Sequence, residues 1–135
     1  MTKQIEVVGA ILVHKGKILC CKRGPGRSLA YLWEFPGGKI EAGETPLDAL
    51  GRELREELKI EVGIQREVFE EASYDYAFGR VNMKTMVCHL KKGEPILTEH
   101  IALKWVAPSE LGELEWAPVD IPTVKKLVAQ GNVYD

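Results

Sequence analysis

Residues 38–60 read GKIEAGETPLDALGRELREELKI and join a loop containing glycine to a helix with unevenly distributed charges. Thr45 is a favourable N-cap and Pro46 suits the first helical position, so this pair predicts where the helix begins. One apolar stripe at helical spacing is formed by Leu47, Leu50, Leu54 and Leu58. The spacing predicts a helix that ends near Lys59, because the following residues leave the pattern.

The acidic residues of this helix are segregated from most of its basic residues. At about 100° per residue, Glu53, Glu56 and Glu57 occupy an arc roughly 100° wide beside the leucines. Glu53 and Glu57 form an i,i+4 pair of like charge, which costs a few tenths of a kcal/mol. A divalent cation would reverse this cost, and clustered carboxylates without His or Cys favour Mg²⁺, with Mn²⁺ as a substitute. Taken alone, the helix also fits an ordinary exposed charged face.

The loop before the helix contains the glycines Gly37, Gly38 and Gly43. Glycine lets a backbone approach a ligand closely, and exposed N–H groups at a helix N-terminus suit phosphate oxygens. A glycine pair alone indicates only a turn. Next to the acidic helix, it predicts a place where a phosphate and its metal ion meet.

The remaining chain alternates strand and helix patterns without a repeat or a linker. Strands are predicted at Ile5–His14, Lys17–Arg23, Trp33–Phe35, around Val62–Tyr76, at Arg80–Leu90 and at Ile101–Val106. A loop is predicted at Gly24–Tyr31, a helical turn at Pro108–Leu111 and a last helix at Pro122–Ala129. We expect an α/β (mixed α+β) fold, a mixed β-sheet sandwiched between α-helices, in a single domain over residues 1–135.

Composition excludes several classes of protein. The 135 residues are 45% hydrophobic and 28% charged, with a net charge of −2, which gives no basic field for a nucleic acid polymer. The N-terminal residues form neither a signal peptide nor a membrane span, so we expect a cytoplasmic protein without a membrane partner. The three cysteines fit free, buried thiols. Monomer and homodimer both stay open.

The segment from Gly38 to Ile60 resembles the Nudix box, G-x5-E-x7-R-E-U-x-E-E-x-G-U, where U is aliphatic. The matching positions are Gly38, Glu44, Arg52, Glu53, Leu54, Glu56, Glu57 and Ile60. One position departs, since Lys59 replaces the last glycine of the box, and we expect an altered local backbone there. The longer string EFPGGKIEAGETP resembles the MutT branch, which includes 8-oxo-dGTP diphosphatases. Glu99-His100 and the string APVDIPTVKKL resemble bacterial CTP pyrophosphohydrolases.

The resemblance implies a metal site and its supporting residues. Its implied metal ligands are Glu53, Glu56, Glu57, Glu99 and the Gly37 carbonyl. Glu53 is the first candidate for orienting or deprotonating the attacking water, and Glu99 is either the second or a solvated loop acid. Arg52 is expected to orient the glutamates by charged hydrogen bonds, with Glu44 in the same network.

Substrate binding requires positive charge and recognition of the base. The candidates are Arg23, Glu34, Phe35, Gly37, Gly38, Lys39, Arg80 and Asp120. Phe35 either packs on the base or belongs to the core, and Arg80 is either a phosphate contact or a surface charge. Asp120 either binds the base or caps the last helix.

The expected activity is Mg²⁺-dependent hydrolysis of a (deoxy)nucleoside triphosphate to the monophosphate and pyrophosphate. Cytidine-type and oxidised nucleotides are the expected substrates, as small-molecule partners. The alternatives are hydrolysis of dinucleoside polyphosphates or ADP-ribose, and a module that senses nucleotides without catalysis.

Overall fold

The computed structural model describes residues 2–134 of the protein. A mixed β-sheet of eight strands lies at the centre of this structure. The strands are β1 Gln4–His14, β2 Lys17–Arg23, β3 Trp33–Glu34, β4 Gly37–Lys39, β5 Glu61–Ile64, β6 Glu70–Tyr76, β7 Gly79–Lys92 and β8 His100–Val106. The main path of the sheet is β3–β2–β1–β7–β5, while β4, β6 and β8 pair with β1, β7 and β2. β1 and β7 are parallel and the other pairings are antiparallel, which confirms the predicted mixed sheet.

Two helices cover opposite faces of this sheet, α1 at Pro46–Leu58 and α2 at Ile121–Gln130. Successive side chains of a strand point to opposite faces, so the unbroken apolar run of β1 contributes to two cores. Val8, Ala10 and Leu12 pack with the leucines of α1, whereas Ile11 and Val13 pack with the apolar residues of α2. The predicted sandwich is confirmed. No helix within residues 2–134 is long and apolar enough to cross a lipid bilayer.

The cysteines follow the same alternation. Cys20 faces the core under α2 and Cys21 faces the core under α1, so adjacent thiols point away from each other. All three cysteines are free and buried, as predicted. Burial raises the pKa of Cys20 and of Cys88 to about 12, which keeps both thiols protonated and unreactive at neutral pH.

Both ends of α1 lie where the sequence predicts them. Thr45 is the N-cap: its side chain accepts from the Asp48 N–H at 3.1 Å, and Pro46 follows it. The helix ends at Leu58, and Lys59 closes it in the left-handed conformation with φ 59° and ψ 39°. This is the conformation that glycine favours at a helix end. The expectation of an altered backbone at Lys59 is therefore wrong, because this lysine adopts the same left-handed conformation that a glycine would adopt.

Two other expectations need correction. The predicted strand around Val62–Tyr76 is two strands, β5 and β6, because residues 65–69 leave the regular ladder with β7 between them. Strand β4 was not predicted, since glycine has low strand propensity and Gly37-Gly38 looked like a break. The final helix and the helical turn are present, with bounds Ile121–Gln130 and Pro108–Glu113.

We predict that Lys59→Gly stabilises the protein. A left-handed residue other than glycine costs about 1–2 kcal/mol, and part of that gain is offset by the greater freedom of glycine in the unfolded chain. The expected net gain is about 0.5–1 kcal/mol in the free energy of unfolding, measured by urea denaturation. Lys59→Ala is the control, because it also removes the side chain but keeps the Cβ. An equal effect of both variants would contradict this explanation.

Candidate functional site

A cavity of about 590 Å³ opens beside α1 and the glycines of β4. Residues predicted from the sequence supply much of its lining, namely Arg23, Glu34, Phe35, Gly37, Gly38, Lys39, Glu53, Glu57 and Asp120. Other predicted site residues do not line the cavity themselves, namely Glu44, Arg52, Glu56 and Glu99, although Arg52 contacts the lining residue Glu53 and Glu99 contacts the lining residue Glu57. Arg80 is not brought to the cavity.

The glycines of β4 allow the sheet and α1 to approach each other closely. A Cβ atom on Gly37 would lie 2.0 Å from the carbonyl oxygen of Val8 on β1. A Cβ atom on Gly38 would lie 2.5 Å from the carboxyl carbon of Glu53 on α1. At Gly37 only glycine fits, because the obstructing atoms belong to the backbone of β1, whereas a side chain at Gly38 would force the Glu53 carboxylate to move.

Carboxyl groups crowd together at the α1 side of the cavity. The side chain of Glu57 contacts those of both Glu53 and Glu99. Burial, followed by the contact with Glu53, raises the pKa of Glu57 to about 9. Carboxyl groups that lie together in this way provide oxygen donors for a hard cation, and such a cation would remove the repulsion between them.

The third acid of the helix, Glu56, binds the same Arg52 nitrogen as Glu53. Its side chain is 63% exposed, and its Oε2 lies 3.2 Å from Arg52 Nη1. Within residues 2–134, no three acidic, His or Cys side chains converge as a complete set of metal ligands. The fit to a cation therefore rests on the contacts of Glu57 with Glu53 and Glu99, and on the all-oxygen chemistry of these donors.

Arg52 connects the helix acids to the loop. Its Nε and Nη2 donate to the two oxygens of Glu44 at 2.7 and 3.0 Å. Its Nη1 donates to Glu53 at 2.9 Å, and Nη2 also donates to the Lys39 carbonyl at 3.0 Å. These bonds direct the guanidinium at protein groups, which fits a residue that orients carboxylates. Lys39 is exposed, and its side chain lines the cavity.

Glu34 is half-buried and lies in an ion-pair network in the wall of the cavity. Arg23 Nη1 donates to one carboxyl oxygen at 2.9 Å, and His100 Nε2 lies 2.8 Å from the other. Burial alone would raise the pKa of Glu34, but the hydrogen bond from His100 and the charge of Arg23 lower it overall. Arg23 also donates Nε to the Ser28 carbonyl at 2.8 Å. Each oxygen of Glu34 thus has one partner in the protein and keeps a free lone pair, and Glu34 lines the cavity, so its place among the substrate-binding candidates stays a prediction.

Asp120 is 3% exposed and faces the cavity beside Phe35. The Phe35 N–H donates to Asp120 Oδ1 at 3.0 Å, although Phe35 lies 85 residues earlier in the chain. Asp120 stands at the N-cap position of α2, but its side chain makes no capping hydrogen bond. The alternative that Asp120 only caps the helix is therefore wrong. Phe35 also packs against Trp116, with ring centroids 4.7 Å apart.

Burial raises the pKa of Asp120 well above its usual value. The negative charge of Glu34 acts in the same direction, while the Phe35 N–H and the Arg23 charge act against it. The neutral carboxyl is therefore favoured in the folded protein. A neutral carboxyl can donate one hydrogen bond and accept others, whereas a carboxylate can only accept.

An apolar part of the lining was not predicted as part of a site. It consists of Ile5, Val7, Tyr76, Phe78, Val81, Met83 and Val119. Most of these side chains also pack on one another, and the Val119 N–H donates to the Tyr76 hydroxyl at 3.0 Å. Alternation along β1 and β7 places Ile5, Val7, Val81 and Met83 on one face, but it does not distinguish a cavity wall from a core.

Arg80 was a candidate for substrate binding, but it lies outside the cavity lining. Its Nη1 pairs with the Asp75 carboxylate at 3.0 Å, between the paired strands β6 and β7. The side chain is half-exposed and does not line the cavity. Of the two meanings that the sequence left open, the structure supports the surface charge.

We predict that Asp120→Asn stabilises the protein progressively as the pH rises. The unfolded chain loses the Asp120 proton near pH 4, while the folded chain retains it to higher pH, so wild-type stability falls above pH 4 by at most about 1.4 kcal/mol per pH unit. Asparagine does not titrate and still offers an oxygen to the Phe35 N–H. Urea denaturation of both proteins from pH 4 to 8 measures the difference. A difference independent of pH would show that Asp120 is ionised in the fold.

Comparisons with known proteins give one family. The NUDIX domain matches residues 3–127. The putative 8-oxo-dGTP diphosphatase 2 of Mycobacterium tuberculosis is 42% identical over 121 residues, which cover 89% of this chain and 84% of that protein. The CTP pyrophosphohydrolase of Escherichia coli is 39% identical over 135 residues, covering 94% of this chain and 93% of that protein.

A solved structure extends the similarity to the fold. It is the DNA mismatch repair protein MutT, a Nudix hydrolase, from methicillin-resistant Staphylococcus aureus. The two chains are 46% identical and superpose with a TM-score of 0.79, over 97% of this chain and 100% of that one.

Proposed function

This chain belongs to the Nudix family, and on that premise we propose that it hydrolyses a nucleoside triphosphate to the monophosphate and pyrophosphate. The observation that supports this most directly is the composition of the cavity beside α1 and β4. Glycine backbone and crowded carboxyl groups form one part of its lining, and Phe35, Asp120 and apolar side chains form another. The first part suits a phosphate chain with its metal ion, and the second suits a base.

Glu53, Glu56 and Glu57 would hold a divalent cation, with the Gly37 carbonyl and Glu99 as further ligands. Mg²⁺ fits this donor set, with Mn²⁺ as a substitute, because all of the donors are oxygens. When bound, such an ion neutralises phosphate charge and lowers the pKa of a coordinated water. The Glu57 contacts with Glu53 and Glu99 support the assignment, because these acids lie close together and, within residues 2–134, only Glu53 of the three forms an ion pair, with Arg52.

The other residues of this region orient and neutralise. Arg52 fixes Glu53 through Nη1 and fixes Glu44 through two bonds, so that the Glu53 carboxylate is preorganised beside Gly38. Glu53 is the first candidate to orient or deprotonate the attacking water, and Glu99 is the second. Lys39, which lines the cavity and is exposed, is the better placed of the predicted phosphate contacts. Arg23 binds Glu34 and shapes the wall.

Asp120 and Phe35 are proposed to select the base. A neutral Asp120 offers both a donor and an acceptor, so it complements a base edge that carries both kinds of group. Relatives named for CTP and for 8-oxo-dGTP favour cytidine-type or oxidised nucleotides, and hence a role in clearing the nucleotide pool. The rival activities are hydrolysis of dinucleoside polyphosphates or ADP-ribose. The complete set of helix acids argues against a sensor that lacks catalysis.

The decisive experiment incubates the protein with normal and modified nucleoside triphosphates and Mg²⁺ and separates the products by chromatography. Monophosphate and pyrophosphate are expected, and Glu53→Gln should lower kcat at least about 100-fold, because a preorganised charge at the reacting groups is lost. Glu113→Gln is the control, since it removes an exposed acid outside the cavity. Absence of turnover on every triphosphate, or near-normal turnover by Glu53→Gln, would overturn the proposal.

The role of Asp120 has its own test. Asp120→Ala should change the order of kcat/KM values across the nucleotide panel, because one base edge loses its partner. Asp120→Asn should retain part of the order, since an amide both donates and accepts. An unchanged order in Asp120→Ala would show that Asp120 serves the structure alone.

A further inference from the structure

The loop of residues 93–99, between β7 and β8, binds the C-terminal end of α1. The Ile96 N–H donates to the Leu58 carbonyl at 3.0 Å, and the Thr98 hydroxyl donates to the Glu57 carbonyl. These carbonyls belong to the last turn of the helix, where partners within the helix are lacking. The loop therefore satisfies helix groups that would otherwise need water or another cap.

A second anchor follows immediately after Glu99. His100 begins β8 and pairs with Arg23 of β2, next to an irregularity in the ladder. Its Nε2 lies 2.8 Å from Glu34, and because an ionised carboxylate only accepts, Nε2 carries the proton. The His100 side chain is 2% exposed, so this charge-assisted bond lies inside the protein.

Glu99 stands between these two anchors. It is exposed, yet its carboxyl group contacts that of Glu57. An exposed side chain loses conformational freedom when it is held in one place, so a backbone fixed on both sides of Glu99 lowers the cost of this contact. Thr98 provides that support on one side of Glu99, and His100 provides it on the other.

We propose that Thr98 and His100 are positioning residues, which hold Glu99 against the acidic face of α1. His100 thus affects the proposed cation site through the position of Glu99, although its own hydrogen-bond partner, Glu34, lies in the wall of the cavity. The inference rests on the proposed function only in giving Glu99 a role at the cation.

The test compares variants that remove a donor with variants that keep it. His100→Phe and Thr98→Val remove the bond, whereas His100→Gln and Thr98→Ser can still donate. We measure the Mn²⁺ dissociation constant by electron paramagnetic resonance, and kcat and KM with a triphosphate that the wild type hydrolyses. His100→Phe and Thr98→Val should weaken Mn²⁺ binding and lower kcat by about 10-fold or more, with KM changed less than about threefold. The donor-keeping variants should recover most of both values.

Coupling to Glu99 separates positioning from a general structural role. In a Glu99→Gln background, His100→Phe should cause no further loss of Mn²⁺ affinity. An equal loss with and without the Glu99 carboxylate, or a rise in KM alone, would show that His100 acts on the wall through Glu34, and would overturn the inference. If His100→Phe fails to fold, Thr98→Val carries the same comparison. If the wild type hydrolyses no triphosphate, the Mn²⁺ measurements still decide the positioning role.

Discussion

The close approach between β4 and its two neighbours is the constraint on which the site depends. Gly37 leaves no space for a side chain against the Val8 carbonyl, and Gly38 leaves none against the Glu53 carboxylate. These two contacts bring the central strand, the loop and α1 within a few ångströms of one another. A side chain at Gly37 would push β4 away from β1, and a side chain at Gly38 would displace the Glu53 carboxylate, so the fold and the site both depend on this glycine pair.

The same approach explains the unusual electrostatics of α1. Glu53 and Glu57 lie one turn apart on α1, and like charges at this spacing weaken a helix. Arg52 offsets part of the repulsion by donating to Glu44, Glu53 and Glu56, and the raised pKa of Glu57 offsets more. Acidic and basic residues alternating along this face would make α1 more stable. The segregated acids are most readily explained by a cation that the folded protein binds, which returns stability by mass action.

Particular residues show how far the sequence could predict this arrangement. Thr45, Pro46 and the four leucines specify α1 because capping and helical periodicity are local effects. Strand β4 escaped prediction because its pairing depends on contact with Val8, about 30 residues earlier in the chain, and not on its own propensity. The backbone at Lys59 was predicted wrongly because the end of the helix imposes the left-handed conformation, which lysine can adopt at some cost in stability.

Side-chain partners were the least predictable feature of the site. Glu34 and Arg23 line the cavity, but their pairing was not foreseen: a half-buried carboxylate and a neighbouring guanidinium satisfy each other when the fold brings them within 2.9 Å. His100 of β8 joins this pair by its contact with Glu34, because the pairing of β2 with β8 places His100 opposite Arg23. His100, the residue after Glu99, thus contacts Glu34 in the wall of the cavity, whereas Glu99 itself contacts Glu57 on α1. The two parts of the cavity are consequently joined through one strand end, so a change in the wall at Glu34 is expected to reach the acids of α1 through the backbone of residues 98–100.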